Sequence, residues 1–147
     1  MIILVRHALA VPRSQWDDHD EARPLAPRGV RQADRLVSVL AERAPTTAPF
    51  VSSPSVRCVK TLRPAARVRD VRIKTTRSLG EGRADRALDL VLDAVEDLVL
   101  CTHGGVIDGV LAGLRHLGWP LPPCPRTAKG SVWLLSPAWA EYLPPAG

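Results

Sequence analysis

The sequence predicts a three-layer α/β/α sandwich around a mostly parallel sheet. Three observations predict it. Residues 1–6 and 98–102 are short runs dense in Ile, Leu and Val, the pattern of strands buried on both faces. Segments with apolar residues at three- and four-residue steps lie between such runs, which is the helical period. Strand and helix patterns then alternate along the chain, so that successive strands join through crossover helices.

Residues 1–6 form the first strand, stopped by Arg6 and His7. Residues 8–27, rich in Pro, Asp and Arg, form a loop long enough to be functional. Over 28–43, Val30, Ala33, Val37, Leu40 and Ala41 mark an amphipathic helix. A short strand follows at 50–52. Pro54 suits a first helical turn, and 55–67 reads as a helix that Pro64 should kink or end. Residues 71–75 are a strand and 79–82 a loop. Residues 84–96 are a second amphipathic helix carrying Ala87, Leu88, Val91, Leu92 and Val95. After the strand at 98–102, Gly104-Gly105 opens a helix running to about Leu117. Residues 120–125 are a proline-rich loop, and 131–135 and 140–143 are final strands, in part antiparallel. The 147 residues suit a single domain, 1–147.

Composition excludes several classes. At 46% hydrophobic the chain can build a proper core. No apolar run approaches the roughly 18 residues that span a bilayer, and the apolar start lacks the basic flank and cleavage site of a signal peptide. Cys58, Cys101 and Cys124 are an odd set with no disulfide framework, which fits a reducing compartment. A cytoplasmic protein without membrane attachment is expected. The net charge of +5 is mostly arginine, scattered and without interleaved aromatics, so no nucleic-acid polymer is expected as partner. The charge does suit anionic substrates.

Ligands of open α/β sheets bind beyond the carboxyl ends of the strands. Two polar clusters fall at such ends: Arg6-His7 after the first strand and Thr102-His103-Gly104 after the later one. Glycines at a helix start let backbone N–H groups approach an anion. A third piece, Ser52-Ser53-Pro54-Ser55-Val56-Arg57, also follows a strand and places Arg57 near a helix start. Arginine suits phosphate through its planar donor fork. Each piece alone reads equally as a strand end or helix face meeting solvent; together they suggest one shared anion site.

Leu4-Val5-Arg6-His7, Ser52-Ser53-Pro54 with Arg57 and Thr61, Leu79 with Glu81, and Thr102-His103-Gly104 occur in that order. This ordered set resembles the histidine phosphatase (phosphoglycerate mutase-like) superfamily over nearly the whole chain. The short length resembles SixA-like phosphohistidine phosphatases. Arg57-Cys58-Val59-Lys60-Thr61 and Lys129-Gly130-Ser131-Val132-Trp133 resemble the phosphatase domain joined to MutT-type Nudix domains. Ala8 stands where the family's commoner signature has Gly, as is usual among SixA-like members.

The resemblance implies a phosphohydrolase needing neither cofactor nor metal. His7 would be the nucleophile, with Arg6, Arg57, His103 and Gly104 on the phosphoryl group. Glu81 would be the general acid, with Asp17, Asp18 and Asp85 as rivals. The implied substrate is a phosphohistidine protein or a small phosphoester or nucleotide. A phosphomutase and a non-catalytic phosphoryl-binding module are the alternatives; the shortness of the chain argues against the first and the full residue set against the second. Oligomeric state stays open.

Other residues carry less. Cys101 and His103 lack the second ligand pair of a structural zinc site. Cys58 and Cys101 read as buried small hydrophobes, His19 and His116 as solvent-facing, and Trp119, Trp133 and Trp139 as packing. Trp16 could reach the substrate. Arg13, Arg23 and Arg28 share its loop and read as surface charge before phosphate contacts.

Overall fold

The computed structural model describes residues 1–145. Residues 146 and 147 of the expected domain lie outside the described residues. Strands β1 (Ile2–Arg6), β2 (Phe50–Ser52), β3 (Ile73–Thr75) and β4 (Leu98–Thr102) run parallel. Strands β5 (Val132–Leu135) and β6 (Ala140–Leu143) complete the sheet antiparallel to their neighbours. The spatial order is β3-β2-β4-β1-β5-β6, so β1 lies between β4 and β5.

The four helices are α1 (Pro27–Arg43), α2 (Val56–Arg69), α3 (Ala84–Asp93) and α4 (Gly104–His116). Alternation along β1 divides its side chains between two cores. Ile3 and Val5 pack with Leu36, Leu40 and Leu62 of α1 and α2. Ile2 and Leu4 pack with Val91 of α3 and Ile107 and Leu111 of α4. Burying each such aliphatic side chain contributes about 1.5–3 kcal/mol. The expected three layers are therefore present, with helices on both faces of a mixed sheet.

Three details depart from expectation. Pro64 lies inside an unbroken α2. A helical proline costs about 3 kcal/mol, but Leu62, Ala65 and Ala66 beside it are all core residues, and their burial holds the helix together. The buried stripe of α1 is Gly29, Ala33, Leu36 and Leu40, while Val30 and Ala41 face solvent and Val37 is half-buried. Gly29 sets that rotation: a Cβ there would lie 1.9 Å from the Leu9 carbonyl oxygen, so the helix rests directly on the loop backbone. Likewise α3 ends at Asp93, leaving Leu92 and Val95 exposed. Among the described residues, no helix is long and apolar enough to cross a membrane.

Candidate active site

The ends of β1, β2 and β4 meet because their registers are tight: Arg6 is level with Thr102, and Ser52 with Cys101. That places His7, Ser53 and His103 side by side. The His7 and His103 rings meet edge to face, 5.5 Å between centroids. Both are buried. A cavity of about 400 Å³ opens in front of them, lined by Arg6, His7, Glu81, His103 and the first residues of α4.

His7 Nδ1 lies 2.8 Å from the Ala8 carbonyl oxygen. A carbonyl only accepts, so Nδ1 carries the hydrogen and Nε2 keeps its lone pair. Nε2 has no hydrogen-bond partner among the described residues, and His7 lines the cavity. The Ala8 peptide is itself fixed: its N–H donates to Thr61 Oγ1 at 2.9 Å, and that hydroxyl donates to the Arg57 carbonyl at 2.7 Å. Burial pushes the His7 pKa down to about 3, helped by the charges of Arg57, His103 and Arg6 and opposed by the Ala8 carbonyl. The imidazole is therefore neutral and nucleophilic at physiological pH.

That shift has a stability consequence. Above its ordinary value of 6.5 His7 is neutral whether the chain is folded or not. Below that, the unfolded chain takes up a proton that the folded one refuses, and stability falls until the pH passes about 3. The penalty at pH 4 is about 3 kcal/mol. His7→Asn, which has no proton to gain, should lose that much less stability between pH 7 and pH 4 in urea unfolding. Parallel losses in the two proteins would contradict the assignment.

Arg57 is 1% exposed although it belongs to a helix. Its Nη1 donates to the Asp20 carbonyl at 2.8 Å, and its Nη2 reaches Asp20 Oδ2 at 3.0 Å and Glu81 Oε1 at 3.1 Å. His103 is held from both sides, with Ser53 Oγ 2.9 Å from Nε2 and Arg57 Nη2 3.4 Å from Nδ1. Cys58 Sγ approaches the same Nε2 at 3.7 Å. Glu81 Oε1 is 3.5 Å from His103 Nδ1. Its loop is tied to the sheet by Thr102 Oγ1, which donates to the Leu79 carbonyl at 2.6 Å.

Arg6 bends over the start of α4 and donates to the Thr127 carbonyl. Gly104 makes that possible, since a Cβ there would lie 2.7 Å from Arg6 Cζ. This glycine serves the guanidinium as well as leaving the helix start bare. Arg6 Nε and Arg57 Nε are buried donors with no hydrogen-bond partner among the described residues.

The residues Arg6, His7, Arg57, Glu81, His103 and Gly104 are thus brought together. Asp17, Asp18 and Asp85 are exposed and line none of the cavities described. Trp16 stays in its loop, its Nε1 donating to the His19 carbonyl at 3.0 Å. Arg28, His19 and His116 face solvent. Arg23 corrects the expectation of surface charge: it is buried, donates to Asp20 and to the Val11 carbonyl, and lines the cavity. Arg13, exposed as expected, nonetheless lines the cavity and reaches Asp20 and Glu81.

Sequence reasoning missed Asp20 and Lys129. Burial raises the Asp20 carboxyl pKa, but the Arg23 hydrogen bond and the Arg57, Arg23 and Arg13 charges outweigh it and hold the carboxyl low. Lys129 lines the cavity, and its ammonium pKa is pulled down by burial and by the Arg6, Arg23 and Arg57 charges. So dense a field of one sign favours a multiply charged anion. Lys129-Gly130 was legible only as a motif, since nothing local to residue 129 points back to residue 6. Among the described residues no group of three His, Cys, Asp or Glu side chains is placed to hold a metal ion.

Residues 2–84 match the model of the histidine phosphatase superfamily, branch 1. An 8-oxo-(d)GTP phosphatase of Mycolicibacterium smegmatis is 31% identical over 156 residues, covering 98% of this chain and 48% of that protein. The chain thus spans about half the length of that relative. The crystal structure assigned as phosphohistidine phosphatase SixA of Agrobacterium tumefaciens superposes with a TM-score of 0.77 at 22% identity, covering 99% of this chain and 97% of the other. The protein histidine phosphatase SixA complexed with tungstate superposes with a TM-score of 0.70 at 16% identity, covering 90% and 85% of the two chains.

Proposed function

Because the chain belongs to the histidine phosphatase superfamily, we propose that it hydrolyses phosphate monoesters or related phosphoryl compounds through a phosphohistidine on His7. The observation that carries this reading is the buried, neutral His7, whose Nδ1–H is committed to the Ala8 carbonyl, leaving Nε2 its lone pair, and whose ring lines a cavity with Arg6, Arg13, Arg23 and Lys129.

His7 Nε2 attacks phosphorus, and the bond from phosphorus to the leaving oxygen breaks. Glu81 gives that oxygen a proton. Arg6 and Arg57 hold the equatorial oxygens, with His103 beside them. Water deprotonated by Glu81 then cleaves the phosphorus–nitrogen bond, releasing phosphate and restoring both groups. Positioning and charge stabilisation account for most catalysis of phosphoryl transfer, and these side chains can provide both.

The substrate is a small phosphorylated metabolite, a nucleotide, or a phosphohistidine protein. The 8-oxo-(d)GTP phosphatase relative supports the nucleotide, and the SixA-like fold is compatible with the protein substrate.

The protein should release phosphate from an aryl phosphate in excess EDTA, with vanadate inhibiting. A strict divalent-metal requirement would overturn this reading. Transfer to a second acceptor faster than phosphate release would favour a mutase.

A further inference from the structure

Away from the active site, a groove of about 640 Å³ runs between the outer face of α2 and β3, the edge strand of the sheet. It is larger than the cavity in front of His7, and the two share no lining residue. We infer that this groove docks an extended, acidic segment of a partner protein, which adds to the sheet as a strand beside β3. The inference goes beyond phosphoryl chemistry and does not rest on it.

Thr76 N–H donates to the Ser52 carbonyl at 3.0 Å, with Thr75 level with Ser52. Successive residues of a parallel ladder turn their polar groups to opposite sides. Lys74 and Thr76 therefore serve β2, while the N–H and C=O groups of Ile73 and Thr75 point outward. No described strand lies on that side. Sheet edges are often blocked by proline, a bulge or a covering element; β3 has no proline, and its register with β2 is unbroken. Beside it, Val59 and Ala66 of α2 join Val71 and Ile73 in an apolar floor. An open strand edge with a floor for alternate side chains is the setting in which peptides bind by strand addition.

Charge decides which kind of segment fits. Arg63, Arg67 and Arg72 line the groove, and Asp70 is the one carboxylate of the lining. None of these arginines, nor Lys74 of β3, forms an ion pair with a described residue. Arg63 Nε is a buried donor with no hydrogen-bond partner among the described residues, a lack it shares with Arg6 and Arg57 of the active site. Buried donors are normally hydrogen-bonded, so this one points to a ligand that the groove accepts. Ile73 packs against the core between α1, α2 and the sheet, which turns Lys74 to the opposite face. A strand laid beside β3 thus meets Arg63 and Arg67 on one face and Lys74 on the other. A second copy of this chain fits poorly: its net charge is +5, and pairing two β3 edges would set Arg72 and Lys74 against like charges.

The probe is a blocked octapeptide in which Val and Glu alternate, labelled with fluorescein and titrated with the full chain by anisotropy. It should bind at least about tenfold more tightly than the same peptide with Gln in place of Glu, the scale of charge-assisted hydrogen bonds. The double substitution Arg67→Glu, Arg72→Glu should remove that preference. Both side chains are exposed, so the fold has no reason to change. Thr75→Pro removes an outward N–H while keeping the bonds to β2, as edge strands tolerate, and should weaken binding about tenfold. Urea unfolding checks that each variant is folded, and turnover of an aryl phosphate should stay at the wild-type level in both. Equal affinity for the Glu and Gln peptides, or undiminished binding of the Glu peptide in either variant, overturns the inference. So does a single-stranded oligonucleotide of equal charge that binds more tightly than the peptide, since it would assign the groove to nucleic acid.

Discussion

His7→Asn should lower turnover of an aryl phosphate by at least about 10⁴-fold, the scale on which loss of a nucleophile is felt. The asparagine amide can still donate toward the Ala8 carbonyl, so the local backbone has a reason to stay as it is. It has no lone pair to replace Nε2. Rapid quenching of the wild-type protein should trap an acid-labile phosphoenzyme, and the variant should trap none. Arg6, Arg57 and His103 stay assembled in the variant, so substrate binding should persist while chemistry stops. A variant rate within tenfold of wild type would remove His7 from the reaction.

Arg57→Ala should carry the second largest effect. One guanidinium holds the Asp20 carbonyl, the Asp20 carboxylate and the Glu81 carboxylate, and stands within 3.4 Å of His103 Nδ1. Removing it takes away a phosphoryl donor, frees Glu81 from its position and loosens the 8–26 loop. A loss of about 10² to 10³ in kcat/KM is expected, the scale measured when one oxyanion donor is removed. Stability should fall by about 2–3 kcal/mol, as a buried network loses its centre. Asp20 and Glu81 are partly exposed and can rehydrate, which keeps the figure from rising further. Arg57→Lys should recover little activity, because an ammonium cannot span three acceptors in one plane. Steady-state kinetics and urea unfolding on the same samples separate the two effects. Full activity in Arg57→Lys would reduce the role to simple charge.

Much of this site is readable from local sequence, and the reason is geometric. Apolar runs that stop at Arg6-His7 and at Thr102-His103 mark strand ends, and parallel strands place those ends on one edge. Arg57 is readable because it opens a helix after such a strand. The Ala8 carbonyl was not, since every residue has one and only the folded chi angles of His7 bring it within reach. Asp20 and Arg23 lie in a loop whose composition reads as solvated; the burial of Arg23 and half-burial of Asp20 accompany the Ala10–Leu25 bridge that folds the loop back on itself. The rotation of α1 was missed for a similar reason: Val30 and Val37 are the more apolar pair, but contact between Gly29 and the Leu9 backbone decides which face turns inward. Pro64 shows local propensity yielding to core burial on both sides of it.

The position of β1 between β4 and β5 also sets when this protein becomes reactive. Arg6 N–H donates to the Ser131 carbonyl and Gly130 N–H to the His7 carbonyl. Both neighbours of the nucleophile's strand therefore come from the later part of the chain. On the ribosome β1 must wait for the 91 residues that separate Arg6 from Leu98 before either edge of the strand is paired. Contacts of such sequence separation form late and slowly. A nascent chain holds its histidine hydrated, and the pocket around it is assembled only when β4 and β5 pair with β1.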